Sequence, residues 1–216
     1  MIKPDPVTIL HPVTVNIQKE YKRLAEIYEV RWHNYLEATH KLATGMLEPD
    51  NSDFILDASA GTGLLAEMIR RQAACHLILT DISDEMLEIA RYRLAGDPHI
   101  RIEKMDVHAL ELPHAHFTKL VCLNSFHFYA EPRKVLGEFF RVLKKSGRLV
   151  MVDWCRNPWH FRLFDCAMRI TRRPHVRSYT TSEMRQLLEA SGFSVTDIRR
   201  WSHGFWSLMN IMAVKK

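Results

Sequence analysis

An acid that ends a short apolar run, glycines four and six residues further on, and a second acid ending the next apolar run form the part of this chain best suited to chemistry. The first acid is Asp57, the glycines are Gly61 and Gly63, and the second acid is Asp81. Ala58, Ser59 and Ala60 fill the turn with small side chains. Gly61 and Gly63 accept positive φ and let a ligand approach the backbone closely. A strand, a tight loop and a helix N-terminus in this order hold nucleotide-like ligands in α/β proteins. An acid at the position of Asp81 can accept hydrogen bonds from both hydroxyls of a ribose. A third acid, Asp106, ends the next apolar run, where an adenine amino group could donate to it. These acids and glycines describe a nucleoside pocket.

Two nucleosides compete for it. Gly61-x-Gly63-x-x-Ala66 fits the dinucleotide fingerprint, with Asp81 about where the ribose acid belongs, and alone it points to an NAD-dependent oxidoreductase. Asp57 opposes that reading. A carboxylate beside the loop repels a pyrophosphate and attracts a ligand that carries an ammonium group. A nucleotide-binding protein without catalysis is the third alternative.

His127 follows the fourth apolar run. A histidine there could take a proton from an attacking hydroxyl, carbon acid or ammonium, or it could line or cap the pocket. Between Trp154 and Arg177 stand Arg156, Arg162, Arg169, Arg172, Arg173 and Arg177 against one acid, Asp165. If 159–172 is helical, Arg162, Arg169 and Arg173 share one stripe, and Phe161, Phe164 and Met168 lie on another face. That segment is either a solvated charged face or a lid whose arginines meet an anionic substrate or an anionic membrane.

The elements that must position these residues alternate. Residues 1–15, with Pro4, Pro6 and Pro12, read as an extended arm. Helical periodicity runs over 17–46, through Tyr21, Tyr28, Trp32 and Tyr35, and Gly45 and Pro49 end it. Trp32 fits a core position or a pocket wall. Strands fit 53–58, 76–80, 99–104, 118–124 and 147–153, and helices fit 63–73, 83–95 and 131–144. Lys144-Lys145-Ser146-Gly147 reads as the turn into the fifth strand. A helix fits 181–191, with Thr181 or Ser182 as N-cap and Gly192 at C′. Strands at 193–201 and 205–214, joined through Gly204, make a terminal antiparallel hairpin. The expected fold is α/β, a Rossmann-like doubly wound and mostly parallel sheet of about seven strands with a C-terminal hairpin and an N-terminal helical cap. One domain over 1–216 accounts for the pattern: arm and cap to 50, cofactor core 51–153, basic and aromatic lid 154–180, and a last helix and hairpin 181–216.

The bulk properties exclude several classes. An apolar fraction of 47% and a charged fraction of 25% are ordinary for a globular protein. No apolar run reaches the ~20 residues of a membrane span, and the polar start is unlike a signal peptide. Four cysteines without C-x-x-C spacing fit a reduced, cytoplasmic protein. His114-x-His116 is too slight a pattern for a metal site, so no metal is expected. The net charge of +5 leaves room for an anionic substrate, a membrane surface or nucleic acid.

Residues from about 53 to 214 resemble a class I S-adenosylmethionine-dependent methyltransferase of the small-molecule type, the broad group that includes the ubiquinone and menaquinone C-methyltransferases. The segment from Asp57 through Ala58, Ser59 and Ala60 to Gly61 and Gly63 resembles the family's acidic, glycine-rich first motif. Asp81-Ile82 with Met86 resembles its ribose and adenine segment, and Met105-Asp106-Val107 its adenine-edge segment. Leu123-Asn124-Ser125-Phe126-His127 resembles the motif near the transferred methyl. Val142 to Gly147 resembles the turn before the fifth strand. Tyr21 to Tyr28 resembles the leading helix that closes over the cofactor. Ser59 stands where the family's loop has its first glycine, and Ser146 where a proline is usual. The Pro-Pro-Tyr of many enzymes that methylate amino groups of DNA bases is missing, so no nucleic-acid partner is expected. The resemblance implies that S-adenosylmethionine is the cofactor, S-adenosylhomocysteine the product, and a small organic molecule the acceptor. An aromatic, quinone-like or lipid acceptor suits the Trp- and Phe-rich lid.

Overall fold

The computed structural model describes residues 27–171 and 175–216. The arm, Tyr21 and the start of the leading helix, and Arg172 and Arg173 of the lid, lie outside the described residues.

The chain runs α1 (Tyr28–Leu47), β1 (Phe54–Ala58), α2 (Leu64–Arg70), β2 (His76–Asp81), α3 (Asp84–Arg93), β3 (Ile100–Lys104), β4 (Phe117–Leu123), a 3₁₀ turn at Phe126–Phe128, α4 (Pro132–Val142), β5 (Leu143–Trp154), α5 (Trp159–Ile170), α6 (Thr181–Ala190), β6 (Phe193–His203) and β7 (Trp206–Lys215). The seven strands form one sheet in the order β3-β2-β1-β4-β5-β7-β6. Strands β1 to β5 pair in parallel; β7 is antiparallel to both β5 and β6. The strand order reverses between β1 and β4. Open α/β sheets bind ligands at that switch point, outside the carboxyl ends of the strands.

Alternation along each central strand sends apolar side chains to both faces. Leu56, Leu120, Cys122, Leu149 and Met151 join one core with Phe139 of α4 and Leu188 of α6. Ile55, Val121, Leu123, Val150 and Val152 join the other with Leu47 of α1 and Leu65 and Ile69 of α2. The expected doubly wound architecture with its terminal hairpin is the one observed, and Gly204 turns the hairpin at φ 55°.

Three of the local differences have a clear physical reason. α1 runs through Gly45 to Leu47 because Ala43 and Leu47 are fully buried there, and it ends on Glu48 in the left-handed region. Lys144 to Gly147 belong to β5 as an irregularity: the register passes from Phe117–Leu143 to Lys119–Arg148, with Ser146 at φ 62°. The N-cap of α6 is Thr180, one residue before the expected pair. Its hydroxyl accepts from the Glu183 N–H at 3.2 Å while the Glu183 carboxylate accepts from the Thr180 N–H at 2.8 Å. That reciprocal box needs Glu three residues after the cap, a condition Thr181 and Ser182 do not meet.

Candidate functional site

A cleft opens at the carboxyl ends of β1 to β4. Its larger part, about 700 Å³, is lined by Tyr28, Ser59, Gly61, Asp81, Ile82, Met86, Met105, Asp106, Val107, His108, Leu123, Asn124, Ser125, Phe128 and Tyr129. A smaller part, about 390 Å³, shares Tyr28, Ser59, Gly61, Leu123 and Asn124 with it and adds Leu36, His40, Asp57, Ala60, Thr62, Leu64 and Leu65.

The loop after β1 is held open by backbone geometry. Ser59, Gly61 and Gly63 all have positive φ, at 61°, 56° and 76°. Left-handed geometry costs a non-glycine residue roughly 1–2 kcal/mol. Ser59 is held there by a 2.8 Å hydrogen bond between its hydroxyl and that of Tyr129. A Cβ added at Gly61 would meet no atom within 4 Å, so its outer side faces open cleft. A Cβ at Gly63 would come within 3.0 Å of Leu94 and 3.1 Å of Ala90. Gly63 therefore serves the turn and the packing of α3, and it does not line the cleft. Ala58, fully buried, does not line it either.

Asp57 and Asp81 have no cationic side chain against them among the described residues. Asp57 is 2% exposed, and its Oδ2 is buried without a hydrogen-bond partner. Burial, reinforced by the charge of Asp81, pushes its carboxyl up to about 8. Asp81 accepts from the N–H of Gly61 and of Ser83, both at 2.9 Å. Burial nonetheless raises it above the ordinary carboxylate range, against the pull of those N–H groups. Burial also works against ionisation of Asp106, but hydrogen bonds from the side chain and backbone of His108 overcome it and hold the carboxyl low. The His108 ring lies 2.6 Å from Asp106 Oδ1, and its Nε2 is buried without a partner.

Cap and cleft are tied together. Arg93 of α3 pairs with Glu29 of α1 and, at 3.1 Å, with Glu67 of α2. On the β4 side, the Tyr35 hydroxyl donates to Asn124 Oδ1 at 2.8 Å and accepts from Trp154 Nε1 at 3.1 Å. Burial pushes the His40 imidazole down to about 4, so it stays neutral beside Asp57's part of the cleft.

The structure gathers most of the expected cofactor residues: Tyr28, Asp57, Ser59, Ala60, Gly61, Asp81, Ile82, Met86, Asp106, Val107, Asn124 and Ser125 all line the cleft. His127 does not line it. That imidazole is 2% exposed, with Nδ1 2.6 Å from Asp153 Oδ1, and its ring stacks on Trp154 at 4.0 Å. Its Nε2 is buried without a partner, so no described cavity presents that nitrogen to an acceptor. Trp32 and Trp154 belong to an aromatic cluster with Tyr35 and Trp206. Of the lid arginines, Arg156 and Arg177 both bind Glu183 at 2.5 Å, while Arg162 and Arg169 lie exposed.

Sequence reasoning missed Tyr129, His108, His40 and Asp153. Tyr129 stands four residues after Ser125, and their hydroxyls meet at 2.9 Å. His108 stands two after Asp106, the spacing of an Asx turn. No local signal marks the pairing of His127 with Asp153.

A family described as a methyltransferase domain matches residues 56–151. The demethylmenaquinone methyltransferase of Clavibacter sepedonicus is 34% identical over 115 residues, covering 53% of this chain and 46% of its own. The chain thus spans about half the length of curated relatives it matches. Two solved structures share the fold. The [4+2]-cyclase SpnF superposes with a TM-score of 0.81 at 16% identity over 96% of this chain and 98% of its own. A geranyl diphosphate methyltransferase in complex with S-adenosylmethionine gives 0.72 at 15% identity over 85% and 87%.

Proposed function

We propose that the chain is a class I S-adenosylmethionine-dependent methyltransferase and transfers the methyl group of S-adenosylmethionine to a small organic acceptor; the methyltransferase-domain match over 56–151 and the demethylmenaquinone methyltransferase likeness support the reading. The observation that carries the reading is the orphaned carboxylate of Asp57 beside the open flank of Gly61. A buried acid with no cation against it among the described residues is stabilised as a carboxylate by a ligand that brings an ammonium group, and gains nothing from one that brings a pyrophosphate. The residues fit S-adenosylmethionine: Asp57, Ser59, Ala60 and Gly61 for its amino-acid end, Asp81 for the ribose, and Ile82, Met86, Asp106 and Val107 for the adenine. Bound there, the cofactor supplies a methyl already activated by a positive sulfur.

The chain's own part is alignment and exclusion of water. Tyr28 and the clamped α1 cover the cleft, and Asn124 and Ser125 line it where β4 ends. His127, shut away with Asp153, holds the ends of β4 and β5 together, and we assign it no proton transfer. A cytoplasmic location and an aromatic, quinone-like or lipid acceptor remain part of the proposal. The demethylmenaquinone methyltransferase likeness supports a quinone-like acceptor.

The test is incubation with methyl-labelled S-adenosylmethionine and a panel of phenols, quinols, amines and lipids. Label moving to one acceptor, with S-adenosylhomocysteine formed in equal amount, supports transfer. Tight cofactor binding with no labelled product across the panel contradicts it.

A further inference from the structure

The outward face of α5 carries a pattern that the cleft does not use. Trp159, Leu163 and Ile170 are 73%, 63% and 74% exposed. Offsets of four and eleven residues bring them to nearly one azimuth on a helix. Exposed Cys166 and Ala167 continue that strip. Arg162 and Arg169 flank it, and neither makes an ion pair among the described residues. The Arg162 Nε–H donates to the Arg156 carbonyl at 3.3 Å. The helix's one acid, Asp165, points inward and accepts from His175 at 2.8 Å and from the Ser178 N–H at 2.6 Å. Phe205, 55% exposed at the tip of the β6–β7 hairpin, packs against Phe161 and Phe164 and extends the apolar surface.

This face is apolar and basic and offers no acid among the described residues. A second copy docked about a two-fold axis would set Arg162 and Arg169 near their own equivalents with nothing to neutralise them. An anionic bilayer satisfies both parts. The apolar side chains enter the boundary between headgroups and acyl chains, and the arginines reach back to phosphates. We propose that α5 and Phe205 dock this protein on an anionic phospholipid membrane. The docking stands without the methyl-transfer reading. Its consequence, that the cleft meets an acceptor dissolved in the membrane, rests on that reading.

Flotation with phosphatidylcholine vesicles, with and without phosphatidylglycerol, tests the proposal. The protein should float with the anionic vesicles, less so at high salt, and stay behind with phosphatidylcholine alone. Arg162→Gln with Arg169→Gln should weaken partitioning about 30-fold, at about fivefold per arginine. Leu163→Ser with Ile170→Ser should abolish flotation at unchanged charge. All four side chains are exposed, so melting temperature should stay at the wild-type value. Flotation of either double variant at the wild-type level, or no flotation of the wild type, overturns the proposal. So does a concentration-dependent dimer in sedimentation that Leu163→Ser abolishes. The readout needs no cofactor, so it stands apart from any failure to transfer methyl groups.

Discussion

Asp57 and Asp81, at the ends of β1 and β2, and Asp153 and Asp165, at the end of β5 and on α5, are treated in opposite ways by the same protein. The first two line a cleft with no cationic side chain against them among the described residues, and burial raises both. The second two each hold a histidine ring, at 2.6 and 2.8 Å, and lie outside that cleft. A buried acid without a partner costs stability that a packed region avoids. It persists at a site whose ligand completes it. The paired acids do the other job: they fasten β4, β5 and the lid segment to one another.

Substitutions can break or sharpen this contrast. The largest effect should come from His127→Ala, which leaves Asp153 buried without its imidazole. Thermal or denaturant unfolding should show a loss of ~3–5 kcal/mol, with cofactor affinity nearly unchanged. A near-wild-type stability combined with a ~10²–10⁴-fold fall in turnover would instead make His127 a catalytic base.

Asp81→Ala should weaken S-adenosylhomocysteine binding by ~2–4 kcal/mol, about 30- to 1000-fold, since two hydroxyls lose a charged acceptor. Calorimetry would exonerate Asp81 if the dissociation constant held.

Asp57→Asn should act in two directions. Native Asp57 keeps its proton up to about 8, whereas the unfolded chain releases it near the ordinary value of about 4. The unfolded state therefore binds fewer protons between these values, and stability falls as pH rises through that window. The Asn variant should escape this decline, so its melting temperature should exceed that of wild type near pH 8 and differ little near pH 4. It should bind the cofactor more weakly.

His108→Ala should have the smallest effect, ~1 kcal/mol on S-adenosylhomocysteine. It should hardly change binding of the inosine analogue, which has no amino group for Asp106 to accept from. Equal losses for both ligands would reduce His108 to packing.

The same division explains what could be read from the sequence. Asp57, Gly61, Asp81 and Asp106 were legible because each stands at a strand end, and parallel strands in this order bring their carboxyl ends together. Gly63 was placed in the right turn but given the wrong neighbour, because its packing on Ala90 and Leu94 depends on where α3 lands. His127 was found as a reactive type, yet its surroundings depend on Asp153, 26 residues away at the end of β5. The shared exposed side of Arg162 and Arg169 was legible from periodicity, while Arg173 lies outside the described residues. The exposed Trp159, Leu163 and Ile170 were not, because the pattern shows that a helix has two faces without saying which one meets the core.

The central claim is that the uncompensated acids of the cleft await a cationic adenosyl ligand. Calorimetric titration of the protein with S-adenosylmethionine at pH 7, repeated in buffers of different ionisation enthalpy, tests it most directly. An ammonium group reaching Asp57 should drive off its proton, so binding should release close to one proton in the wild type and almost none in Asp57→Asn, while NADH should not bind. Binding of NADH in place of S-adenosylmethionine, or S-adenosylmethionine binding with no proton release from the wild type, would contradict the account.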